Sequence, residues 1–103
     1  MILVTTEGIS GKELETLGMV KGSTILTVNA IRDIGAGLKT LVGGELKKYN
    51  EMMNNARALA TERMVEEARG MGADAIVGIR YASASVMQSA AEVMVYGTAV
   101  KLR

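Results

Sequence analysis

The stretch that decides the fold runs from Glu45 to Met71 and reads ELKKYNEMMNNARALATERMVEEARGM. Apolar or small residues recur at intervals of three and four, at Leu46, Tyr49, Met53, Ala56, Ala60, Met64, Ala68 and Met71. This spacing places them on one face of an α-helix of roughly seven turns. The alanines at the centre of the stripe would let the helix lie close on a sheet. The glycines at 70 and 72 are typical of a helix end.

Strands are predicted on both sides of this helix. The β-branched and alternating segments are Ile2–Thr6, Met19–Asn29, Ala75–Tyr81 and Glu92–Leu102. Gly18 and Gly22 are interpreted as bulges or bends, and residues 83–89 as a turn. A short helix over residues 33–40 would begin at Asp33 as its N-cap. We therefore predict one α+β domain over residues 1–103, with an antiparallel sheet packed on one long helix.

The chain carries more apolar residues than a lone domain of 103 residues would need. Hydrophobic residues make up 49% and charged residues 22%, and the mean hydropathy is +0.21. The abundance of alanine, valine and methionine could by itself explain that high hydrophobic fraction. The last strand is more specific, because Val93 and Val95 make one of its faces apolar and Met94 and Tyr96 the other. We predict a homo-oligomer in which a neighbouring subunit covers one of these faces, so that a charge at Val93 or Val95 breaks the assembly.

Composition also bears on partners and location. The net charge is +1, with basic and acidic residues interspersed, so we expect neither nucleic acid nor an anionic membrane surface as a partner. Cysteine is absent, the N-terminus lacks the pattern of a signal peptide, and no apolar run is long enough to span a membrane. We therefore expect a cytoplasmic protein.

The sequence offers few groups for catalysis or metal binding. Histidine and cysteine are both absent, which removes the usual general base, thiol nucleophile and soft-metal ligands. The segment 35–40 lacks the glycine directly before lysine that a phosphate loop requires. Glu62 and Glu66 could hold a hard cation, although Arg63 and Arg69 are close enough to neutralise them. Methionines could bind Cu(I), but three of them lie on the helix stripe, which favours packing.

Arg80 is the one charged residue within an otherwise apolar predicted strand. We expect it to pair with a buried carboxylate, for which Glu45, Glu66 and Glu92 are the candidates. Such a pair would serve either strand registry or a ligand.

Several motifs together resemble the YbjQ family. They are Val42-Gly43-Gly44-Glu45-Leu46 with Tyr49, Ala56-Arg57, Glu67-Ala68, the segment Gly72-Ala73-Asp74-Ala75-Ile76-Val77-Gly78-Ile79-Arg80-Tyr81, and Tyr96-Gly97-Thr98-Ala99-Val100. The resemblance covers essentially the whole chain. It implies a dodecin-like α+β subunit assembled as a pentameric ring, with strands contributing across subunit borders. A heavy-metal-binding label is attached to this family, but without cysteine or histidine we assign no metal ligand here.

Three hypotheses for the function follow. The first is a non-catalytic, ring-forming protein that binds a small ligand or a partner at subunit borders, with Glu45, Arg57, Arg80 and Tyr96 as candidate ligand-binding residues. The second is a metal-binding protein that uses a ring of carboxylates, from Glu45 or Glu66. The third is an enzyme whose site combines the same four candidate residues from adjacent subunits. No catalytic residue and no cofactor is assigned.

Overall fold

The computed structural model describes residues 1–27, 43–87 and 90–103. Its elements are β1 (Ile2–Leu3), β2 (Leu14–Thr27), α1 (Gly43–Gly70), β3 (Ala75–Met87) and β4 (Ala90–Leu102). The strands form one four-stranded sheet in the order β1-β3-β4-β2, and α1 packs on one side of it. The predicted α+β class is confirmed. The predicted helix over residues 33–40 lies outside the described residues.

The sheet is mixed, so the prediction of an antiparallel sheet is wrong at one edge. β2 and β3 both pair antiparallel with β4, whereas β1 runs parallel to β3 with Ile2 opposite Ala75. A parallel pair needs a long crossover, which the chain between β1 and β3 supplies. Beyond β1, the N-terminal segment continues along β3, where Val4 donates to the Ile76 carbonyl at 3.0 Å and Gly78 to the Thr6 carbonyl at 2.8 Å. The sequence predicted a strand in this segment but not its pairing with β3, because that pairing joins distant parts of the chain.

The hairpin of β3 and β4 is longer than the sequence indicated. Residues 83–87 continue β3 instead of forming the predicted turn, while residues 88 and 89 lie outside the described part of the chain. Most residues of this segment have apolar register partners on β4, as Ser83 has Val93 and Ser85 has Ala91. Pairing with a strong strand therefore overrides the weak strand propensity of alanine and serine.

The long helix is confirmed, beginning slightly earlier than predicted. The central stripe residues Ala56, Ala60, Met64 and Ala68 are at most 4% exposed. The last three pack against sheet residues that include Val20 and Val95. Met71 departs from the predicted stripe, since it lies beyond the helix end and is 38% exposed. The core is thus a narrow seam between one helix and the middle of the sheet.

The two glycines of β2 have different roles. Gly18 has φ 151°, and the register between β2 and β4 shifts beside it, so the predicted bulge is confirmed there. Gly22 interrupts no register; instead, a Cβ built on it would lie 2.1 Å from the Ala60 carbonyl oxygen and 2.5 Å from the Met64 nitrogen. The strand and helix backbones are in contact at this point, and only glycine, which has no Cβ, fits between them.

The folded chain is elongated. Its radius of gyration is 16.7 Å and its principal extents are 54 × 27 × 17 Å, whereas a compact domain of this size has a radius of gyration of about 13 Å. A thin sheet with a helix on one side explains the shape. Within the described residues, no helix has the length and apolarity needed to cross a membrane.

Candidate ligand cavity on the open sheet face

The sheet has one face that α1 leaves uncovered, which we call the open face. Side chains alternate along a strand, so β4 directs Val93, Val95 and Ala99 towards the helix, where each is at most 2% exposed. The open face carries Tyr96 of β4 and, in register with β4, Met19 and Ile25 of β2. These three side chains are 40%, 71% and 50% exposed, respectively.

This arrangement corrects the expectation for the last strand. Val93 and Val95 belong to the core of the chain's own fold, so a charge at either position would disrupt that fold itself. The face of Tyr96 has no helix over it within the described residues, although the N-terminal segment packs over its end at Val77 and Val100.

A cavity of about 440 Å³ opens at one end of the open face. All three long strands and the N-terminal segment contribute to its lining, which consists of Glu7, Leu14, Thr16, Val77, Gly78, Arg80, Thr98 and Val100. Leu14, Val77 and Val100 belong to a second apolar cluster, together with Val4, Ile9 and Ala75. The cavity therefore combines an apolar floor with two hydroxyls, one carboxylate and one guanidinium.

Arg80 reaches the cavity because the register between β3 and β4 shifts between Val77 and Arg80, at Gly78 with φ 64°. Its Nη1 donates to the Thr5 and Ile79 carbonyl oxygens, both at 2.8 Å. The guanidinium thereby ties the N-terminal segment to the sheet.

The expected partner of Arg80, a buried carboxylate, is not found among the residues whose side chains the structure describes. Arg80 is exposed. Glu66 instead forms an ion pair with Arg69 on the helix surface, and Glu92 takes part in neither of the ion pairs in the described part of the chain. The side chain of Glu45 lies outside the described residues.

Two of the four candidate ligand-binding residues come together. Arg80 and Tyr96 are direct partners across β3 and β4, so both lie on the open face. Arg57 is exposed on α1, where it donates to Asn54 Oδ1 at 2.6 Å, and Glu45 lies in the first turn of the same helix. Within one chain, therefore, the two candidates on α1 are not brought together with the two candidates on the open face of the sheet.

Sequence reasoning missed Glu7, Thr16 and Thr98 as residues of the cavity. Thr98 belongs to the motif Tyr96-Gly97-Thr98-Ala99-Val100, and no neighbouring residue in the sequence indicates a pocket. Glu7 reaches the cavity because the N-terminal segment runs alongside β3, a placement that local patterns do not encode.

Arg63 and Glu67 both contact the outer edge of β2. Arg63 Nη1 donates to the Ser23 carbonyl oxygen at 2.6 Å, and the Lys21 backbone N–H donates to Glu67 Oε1 at 3.3 Å. These contacts occupy backbone groups that would otherwise be available to another strand.

Metal binding finds little support in these side chains. The chain has no cysteine and no histidine, and the described residues contain no group of three acidic side chains placed to hold an ion. Heavy metals prefer thiolate and imidazole ligands, so the groups present do not fit a heavy metal.

Fold and surface together define a small α+β domain with a mixed four-stranded sheet under a single described helix. A solved structure of a protein of unknown function from Pediococcus pentosaceus, assigned to the DUF74 family, has the same fold. The TM-score is 0.71 at 20% identity, over 100% of this chain and 98% of that one.

The sequence comparisons go further. A family model described as "Putative heavy-metal-binding" matches residues 1–103. A UPF0145 protein of Clostridium novyi is 66% identical over 102 residues, covering 99% of each chain. A UPF0145 protein of Thermus thermophilus is 56% identical over 103 residues, covering 98% of this chain and 90% of that protein. The chain belongs to the YbjQ family, also named UPF0145.

Proposed function

We propose that this protein is a non-catalytic subunit of a ring-forming homo-oligomer that binds a small ligand or a partner at its subunit borders. The observation that carries the proposal is the open face, where Met19, Ile25 and Tyr96 remain 40–71% exposed. Burying such side chains contributes about 25 cal/mol per Å² of apolar surface. A second copy of the chain is the simplest way to cover them.

The elongated shape supports the same proposal. A radius of gyration of 16.7 Å, against about 13 Å for a compact domain, means that the single subunit has a thin core. Subunits of obligate oligomers have this property, because their interfaces resemble a domain core cut in half.

Of the two edges of the sheet, the edge at β3 is more available than the edge at β2 for pairing with another subunit. The β2 edge is blocked near its middle by Arg63 and Glu67. On β3, the N-terminal segment contacts the edge as far as Ile79, and the strand then continues from Tyr81 to Met87. A neighbouring subunit could pair with this part of β3 and so extend the sheet.

Closure into a pentameric ring, which the resemblance to the YbjQ family implied, forms part of the proposal. A heterologous border, which joins two different surfaces of the subunit, closes into a ring when the rotation between subunits allows it. The candidate residues Glu45 and Arg57 would then approach Arg80 and Tyr96 of an adjacent subunit. We also propose that the protein is located in the cytoplasm.

Native mass spectrometry of the full chain at micromolar concentration tests the proposal. We expect one closed stoichiometry, a pentamer, that persists on dilution. A monomer over the whole concentration range would contradict the assembly, and an open-ended ladder of masses would contradict ring closure.

A further inference from the structure

We infer that the cavity between Glu7 and Arg80 binds a small zwitterion with an apolar part, of the α-amino acid class. The inference rests on the ligand-binding half of the proposed function. The cavity is lined by β2, β3, β4 and the N-terminal segment of the chain.

The anion-binding end is Arg80. Two backbone carbonyls hold its Nη1 at 2.8 Å, which fixes the guanidinium without neutralising its charge. Nε and Nη2 make no hydrogen bond within the described part of the chain, so they can form the fork that binds a carboxylate. The hydroxyls of Thr16 and Thr98 line the same cavity and can donate to the second carboxylate oxygen.

The cation-binding end is Glu7. It lines the cavity with Arg80, yet the two side chains form no ion pair with each other in the described structure. A ligand can therefore reach both charges at once. Glu7 would repel a simple anion, and it would pair with an ammonium group.

The apolar lining and the volume of the cavity restrict the class of ligand further. Val77 and Val100 line the cavity but are only 6% and 1% exposed, so the accessible apolar side chain is that of the partly buried Leu14. A volume of about 440 Å³ lies at the lower end of the usual range for small-molecule sites. With one guanidinium and one opposed carboxylate, the cavity is poorly matched to a polyphosphate.

Titration calorimetry on the full-length assembled protein tests this inference with matched probes. L-leucine carries both charges, 4-methylpentanoate lacks the ammonium group, and 3-methylbutylamine lacks the carboxylate; L-methionine and L-glutamine vary the side chain. We expect at least one amino acid to bind once per subunit. Leucine should bind at least about tenfold more tightly than either truncated probe, because each lacks one charge-assisted contact.

Variants of Arg80 and Glu7 test which residue binds which charged group of the ligand. Arg80→Met should abolish the preference for leucine over the amine, and Glu7→Gln the preference for leucine over the acid. Arg80→Lys should restore part of the affinity, because it keeps the charge but loses the fork. Arg69→Met is the control, since Arg69 lies on the helix and pairs with Glu66; its affinity for leucine should match that of the unaltered protein. Circular dichroism must show that each variant is folded.

Two results would overturn the inference. One is a folded protein that binds none of the three amino acids at about 10 mM. The other is equal affinity for leucine and 4-methylpentanoate in both the original protein and Glu7→Gln. Native mass spectrometry on the same samples separates the proposals, because a monomer that binds leucine contradicts only the ring, and a ring that binds no zwitterion contradicts only the cavity.

Discussion

The backbone of Gly22 in β2 touches the backbone of α1 at Ala60, where an added Cβ would lie 2.1 Å from the carbonyl oxygen. On the helix side, Ala60 is fully buried. The small residues on both sides set the distance between helix and sheet, and the packing of the rest of the core depends on that distance.

Gly22→Ala should therefore destabilise the subunit strongly. The added methyl group would meet backbone atoms of α1 that cannot move without shifting the helix, so we expect a loss of more than about 3 kcal/mol in the free energy of unfolding. Urea denaturation followed by circular dichroism measures it. Gly8→Ala is the control, because a Cβ there has no heavy atom within 4 Å. A loss below about 1 kcal/mol for Gly22→Ala would contradict the close contact.

The contacts of Arg63 and Glu67 with the β2 edge lead to a second prediction. The double variant Arg63→Ala/Glu67→Ala should aggregate faster than the unaltered protein, because it exposes the Ser23 carbonyl and the Lys21 N–H to strand pairing. Light scattering during mild heating follows the aggregation. Arg69→Ala breaks an exposed ion pair on the same helix and should change stability by less than about 1 kcal/mol. Equal aggregation of both variants would show that the edge contacts do not protect β2.

How far the sequence predicts this fold depends on the range of the interactions. The helix was predicted well because its signal, the spacing of Ala56, Ala60 and Met64, lies within the element itself. The parallel placement of β1 against Ala75 was missed, since its evidence is a contact between distant parts of the chain.

The candidate site was predicted only in part, for the same reason. Arg80 stood out locally as a charge in an apolar strand, and the structure brings it to Tyr96 on the open face. Its contact with the Thr5 carbonyl and its shared cavity with Glu7 depend on where the N-terminal segment lies. No periodic pattern in that segment indicates this placement.

A third prediction concerns metals. We expect Zn²⁺, Cd²⁺ and Cu⁺ to leave the melting temperature of the full-length protein unchanged at one equivalent per subunit, because the chain offers neither thiolate nor imidazole. Treatment with a chelator should likewise have no effect. Differential scanning fluorimetry provides the measurement, with Mg²⁺ as a control for ionic effects. Stabilisation by one of the soft ions alone would contradict this prediction and favour a site built across subunits.

The last prediction separates the core from the proposed border at two neighbouring positions of β4. Val95 is fully buried against α1, whereas Tyr96 is 40% exposed on the open face. Val95→Asp should unfold the subunit, since an unpaired charge in the core destabilises by several kcal/mol. Tyr96→Asp should leave the circular dichroism spectrum intact and convert the oligomer into monomers, as measured by size-exclusion chromatography with light scattering. Glu51→Lys, an exposed charge change on α1, should preserve the assembly. If Tyr96→Asp assembles like the unaltered protein, the open face is not the border between subunits.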